Sequence, residues 1–115
     1  MAFLDLKIFN NLKKKAMFTH LRTYSANSIT KSILRVDQIV ELAKENGQDA
    51  VAITDYERMI GTLDHYETAR KAGLKPIIGV DVAITSDVTS PNTDPHRILL
   101  LAKDTQGYKE LMALV

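Results

Sequence analysis

Two short runs of uninterrupted apolar residues, Ala50 to Thr54 (Ala-Val-Ala-Ile-Thr) and Ile98 to Ala102 (Ile-Leu-Leu-Leu-Ala), most constrain how this chain folds. Apolar runs of this length without alternation predict strands covered on both faces, as in a parallel sheet flanked by helices. Phe18 to Arg22, and Pro76 to Ile84 interrupted by Gly79, bring the expected strands to four. Between them apolar residues recur at helical spacing. Val36, Ile39, Val40 and Ala43 form one stripe ending at Gly47, and Met59, Leu63, Tyr66 and Ala69 form a second ending at Gly73. Tyr108, Leu111, Met112 and Val115 form a third, with Asp104 placed to cap it. The alternation predicts an α/β fold. Its first two connections are long enough for right-handed crossovers.

The pattern breaks off instead of closing, because the last helical stripe runs to Val115. A sheet of so few strands leaves open edges, which invite self-association. Thr85 to Pro95, with Ser90-Pro91-Asn92 and Asp94-Pro95, is the one evident loop. Residues 1–16 form a separate amphipathic extension, in which Phe3, Leu4, Ile8 and Leu12 mingle with Lys7, Lys13, Lys14 and Lys15. The basic run follows the apolar residues, the reverse of a signal peptide. No apolar run approaches the ~20 residues that cross a bilayer. A cytoplasmic location is expected.

Composition narrows the chemistry. An apolar content of 45% supports a real core, while a net charge of +1 argues neither for nor against nucleic acid. The absence of cysteine excludes disulfides, thiolate metal sites and a thiol nucleophile. The glycines are isolated, so no phosphate-cradling loop is present. No Ser-His-Asp arrangement is supported by spacing.

Four segments in register carry a resemblance. They are Phe18-Thr19-His20-Leu21-Arg22-Thr23-Tyr24-Ser25-Ala26-Asn27-Ser28; Ala52-Ile53-Thr54-Asp55-Tyr56 with Gly61; Ala72-Gly73-Leu74-Lys75-Pro76-Ile77-Ile78-Gly79-Val80-Asp81; and Leu99 to Asp104 with Gly107-Tyr108 and Leu111. Together they resemble the polymerase-and-histidinol-phosphatase (PHP) domain of bacterial DNA polymerase III alpha subunits. The resemblance implies a distorted (β/α)7 barrel, longer than this chain can build, so residues 17–115 are expected to form a truncated PHP-like domain of about four strands.

The resemblance also implies divalent metals at the C-terminal strand ends, where imidazoles and carboxylates let them polarise a phosphoryl oxygen. His20 matches the first ligand histidine. Arg22 stands where the second would be, and Lys31 where the family has an aspartate. A guanidinium has no acceptor and repels a cation. Tyr56 and Tyr24 replace further histidines, Asp81 stands for a glutamate, and Arg97 aligns with a histidine better than the adjacent His96 does. His20 is expected as a hydrogen-bonded histidine at a strand end, Asp55 as a cap on the loop to the next helix, and His65 as an exposed helical residue. Arg22 and Lys31 are expected to pair with Asp55 or Asp81 in place of metals. Positions His20, Arg22, Lys31, Asp55, Tyr56 and Asp81 thus form a vestigial site. No catalytic residue and no cofactor are expected, residual zinc, manganese or magnesium being the minor alternative.

The resembled family is a DNA-directed DNA polymerase, but this chain carries no nucleotidyl-transfer residues and alone is expected to be inactive. The favoured expectation is a non-catalytic module in DNA replication, a scaffold or docking surface for replisome proteins such as the proofreading exonuclease subunit, touching DNA only indirectly. A freestanding polymerase-derived interaction protein is the next reading. A metal-dependent phosphoesterase is the last.

Overall fold

The computed structural model describes residues 18–91 and 94–115, so the expected extension over residues 1–16 lies outside the described residues. In order, the elements are α1 (Val36–Glu45), β1 (Ala50–Ile53), α2 (Thr62–Lys71), β2 (Lys75–Ile84), β3 (His96–Leu101) and α3 (Thr105–Leu114). Among the described residues the fold is mixed α/β, with three helices and a three-stranded sheet in the order β1-β2-β3.

β1 and β2 run parallel, Ala50 opposite Lys75 and Ile53 opposite Ile78, with α2 as the crossover between them. β3 runs antiparallel to β2, from Gly79 opposite Leu101 to Ile84 opposite His96. The expectation of coverage on both faces holds for β1, where Val51, Ala52 and Ile53 are buried, and fails for β3. An antiparallel edge strand needs covering on one side only, and Ile98 and Leu101 stay exposed.

The expected strand at Phe18–Arg22 does not form. Backbone pairing begins one residue later, where Thr54 N donates to Thr23 O at 2.8 Å and Thr23 N donates to Thr54 Oγ1 at 2.8 Å. Phe18 and Leu21 find nothing to bury against and stay exposed, so a ladder there would have gained little. Among the described residues the sheet therefore has three strands where four were expected.

The first helix follows its sequence stripe closely. Val36, Ile39, Val40 and Ala43 are buried, and Ile39, Val40 and Ala43 meet Val51, Ala69 and Leu74 in the core. Gly47 and Gly73 lie past the ends of α1 and α2 with φ of 70° and 79°, as expected of stops. The closing bonds, Gln48 N to Ala43 O and Leu74 N to Ala69 O at 2.9 Å each, need that left-handed residue. Asp104 caps α3 as expected, its Oδ1 accepting from Gly107 N at 2.8 Å.

The second helix departs from its stripe. It starts at Thr62 instead of Met59 and buries Thr62, His65 and Ala69, while Leu63 and Tyr66 are exposed. The third buries Leu111 and leaves Met112 and Val115 exposed. His65, expected at the surface, is fully buried, with Nε2 at 3.0 Å from the Val51 carbonyl oxygen. That contact orients α2 against β1, and Nδ1 is left buried without a partner.

Burial pushes the His65 pKa down, against the opposing pull of the Val51 carbonyl and of Asp55. A lowered folded pKa means that the unfolded chain takes up the proton first on acidification. The stability it confers is complete above the ordinary histidine value of about 6.5 and is lost as pH falls through the lowered value. Urea unfolding from pH 8 to pH 5 should therefore show stability falling below about pH 6.5, and His65→Leu should flatten that limb.

Candidate functional site

The C-terminal ends of β1 and the middle of β2 bring the predicted site positions together. Beyond Ile53 the chain runs through Thr54, Asp55 and Tyr56, and Tyr56 forms a parallel bridge with Asp81 of β2. Asp81 N donates to Asp55 O at 3.1 Å, and Glu57 N donates to Asp81 O at 2.8 Å. The two acidic residues are thus stitched side by side, both at most 2% exposed. Glu57 turns the chain away with a φ of 53°, a left-handed backbone that a non-glycine residue adopts at a cost of about 1–2 kcal/mol.

A buried carboxylate without partners is costly, so each of these two has recruited its own. Asp55 is held by the 25–28 loop. Its Oδ1 accepts from Ser25 N at 2.6 Å and Ser28 Oγ at 2.7 Å, and its Oδ2 from Ser25 Oγ at 2.6 Å. Ser28 Oγ in turn accepts from Tyr56 N at 2.9 Å. Asp55 therefore anchors that loop; the cap expected of it falls instead to Gly61, which starts α2 without a side-chain bond.

Asp81 is held by cations. Arg97 Nε donates to Oδ1 at 2.9 Å, Arg22 Nε lies 3.3 Å from Oδ2, and the Tyr24 hydroxyl donates to Oδ2. Arg97 also reaches the Asp81 carbonyl oxygen at 2.7 Å and Glu57 Oε1 at 3.2 Å. Burial pushes the Asp81 carboxyl up, but the hydrogen bonds from Tyr24 and Arg97 and the charges of Arg97 and Arg22 outweigh it and hold it below the usual range. For Tyr24, burial and the bond to Asp81 push the phenol up, against the two arginines.

Tyr56 supplies the other wall. The Arg97 guanidinium carbon lies 3.5 Å from its ring centroid and Lys31 Nζ lies 4.6 Å from it, both within cation–π range. The expected pairing is thus half realised: Arg22 meets Asp81, whereas Lys31 reaches the Tyr56 ring and neither acid. Asp55 is instead engaged by three donors of the 25–28 loop. His20 stands outside the cluster, exposed and edge-on to Phe18 at 4.8 Å, because no strand end forms there to fix it. Arg97 and His96 alternate along β3 as expected: Arg97 turns to Asp81 and His96 is exposed.

Sequence reasoning gave no role to Ser25, Ser28 or Glu57. Spaced serines opposite a strand-end aspartate were the available signal for the first two. The backbone turn that aims Glu57 left none.

The sequence profile of the PHP domain matches residues 20–115. The chain belongs to the PHP domain family. It is 37% identical over 98 residues to the DNA polymerase III subunit alpha of Buchnera aphidicola, covering 85% of this chain and 8% of that one. The same subunit of Rickettsia conorii is 40% identical over 97 residues, covering 84% and 8%. The chain thus spans less than a tenth of the length of these relatives. Among solved structures, an amidohydrolase from Chromobacterium violaceum, with bound sulfate and no metal, superposes with a TM-score of 0.62 at 17% identity. It covers 83% of this chain and 32% of that one, a likeness of fold.

Neutralising Asp81 should leave two arginines facing each other without their anion. Asp81→Asn is expected to lower stability by about 3 kcal/mol, the low end for a broken buried pair because half-exposed Arg22 regains water. The lowered pKa gives the sign with pH. Asp81 contributes fully above about pH 4, and its contribution is lost as pH falls through the lowered value. Urea midpoints at pH 7 and pH 3 should differ less for the variant than for the parent chain.

Proposed function

We propose that this chain is the PHP portion of a replicative DNA polymerase alpha subunit and serves it as a non-catalytic scaffold. The observation that carries this reading is that protein donors already engage both buried acids. Asp81 is covered by Arg22, Arg97 and Tyr24, and Asp55 by Ser25 and Ser28. A divalent ion needs free lone pairs and is repelled by guanidinium groups. The residues present therefore do not fit the metals of the family, and no hydrolytic step is derived through them. On this reading the cations at positions 22 and 97 take over the metals' structural role, tying the opening segment and β3 to the middle of β2.

The β–α order and the likeness to larger PHP-type and amidohydrolase folds support a partial barrel completed by further chain. On this reading the exposed surfaces serve replisome proteins, among them the proofreading exonuclease subunit, and DNA is met only through them. The alpha-subunit relatives support that context. No helix among the described residues is long and apolar enough to cross a membrane.

Metal analysis is the direct test. Dialysed protein, reloaded with zinc or manganese and dialysed again, should retain well under one ion per chain and leave p-nitrophenyl phosphate intact. Stoichiometric retention of either metal, lost in Asp81→Asn, would overturn the reading.

A further inference from the structure

A groove of about 470 Å³ separates the opening segment from α1 and runs beside β1. His20, Arg22 and Lys31 line one side, and Leu34, Ile39 and Leu42 form an aliphatic floor. Among the described residues its lining contains no carboxylate. Arg22 contributes a half-exposed side chain, and Leu34 and Leu42 are 38% and 45% exposed, more apolar surface than a finished core leaves open. β1 is an edge strand in the described sheet, paired with β2 alone, and just past its end Thr54 already bonds the Thr23 backbone.

From these features we infer that the groove receives an extended peptide that alternates carboxylate and aliphatic side chains, added along the edge of β1. Strand addition supplies main-chain hydrogen bonds, while alternate side chains point to opposite faces. Aliphatic residues would fill the space over Leu34 and Leu42, and carboxylates would meet Arg22 and Lys31. The charge of the lining selects an acidic strand and rejects a basic one. A single-stranded nucleic acid fits less well, because its bases need aromatic stacking platforms and this floor is aliphatic. The inference rests on the groove alone and holds whether or not the metal-free scaffold reading does.

The test uses the whole 115-residue chain and a fluorescein-labelled synthetic peptide of alternating aspartate and leucine, read by anisotropy. Saturable binding is expected, roughly tenfold or more tighter than that of the lysine–leucine counterpart, since opposite charge is the selecting feature. Lys31→Glu and Leu42→Glu, both at exposed positions, should each weaken it by about tenfold or more, with unchanged circular dichroism for both and unchanged melting for Leu42→Glu. Equal binding of the two peptides, or indifference to both substitutions, would overturn the proposal. So would displacement of the peptide by an oligothymidylate, or binding that appears only once residues 1–17 are deleted, which would make the chain's own start the occupant.

Discussion

Everything at the strand ends of this molecule depends on keeping the Asp81 carboxylate out of water. Burying such a charge costs several kcal/mol unless it is paired and hydrogen-bonded. The chain meets that requirement by drawing Arg97 from β3 and Arg22 and Tyr24 from the opening segment. One side chain thereby joins segments far apart in sequence. The second acid, Asp55, solves the same problem with hydroxyls and an amide, and so fixes the 25–28 loop.

On the scaffold reading, this division separates structure from chemistry. Acids at strand ends are an arrangement suited to metals, and such a site requires their oxygens to remain available. Here a guanidinium on each side of Asp81 supplies the positive charge, and it is covalently part of the chain. On the scaffold reading, the gain is an assembly of strand ends that holds without an exchangeable ion. The apolar surface at Leu34 and Leu42 and the edge of β1 then remain as places where another chain is met.

Much of the fold was legible because local signals and tertiary burial agreed. The α1 stripe, the Gly47 and Gly73 stops, the Asp104 cap and the apolar run of β1 all specify themselves within a few residues. Misreadings arose where a partner decides the outcome. Phe18–Arg22 has strand-like residues but nothing to bury them. Leu63 and Tyr66 match a helical period, yet α2 turns His65 and Ala69 to the sheet because His65 reaches the Val51 carbonyl. Within the site, Arg22, Tyr56, Asp81 and Arg97 were identifiable through their alignment with ligand positions of the resembled family. Ser25 and Ser28 were signalled only by their spacing, since their role comes from a loop folding back onto Asp55, and Glu57 was silent, its place set by a left-handed turn that no local pattern encodes.

The measurement that bears most directly on this account is a double-mutant cycle between Asp81 and Arg97. Asp81→Asn, Arg97→Gln and the double variant would be unfolded in urea at neutral pH. If the ion pair organises the strand ends, the coupling should reach about 1.5 kcal/mol or more, within the range found for contacting residues in one network. Additivity to within about 0.5 kcal/mol, as for independent sites, would contradict it and reduce the cluster to a crowd of side chains with no structural role in common.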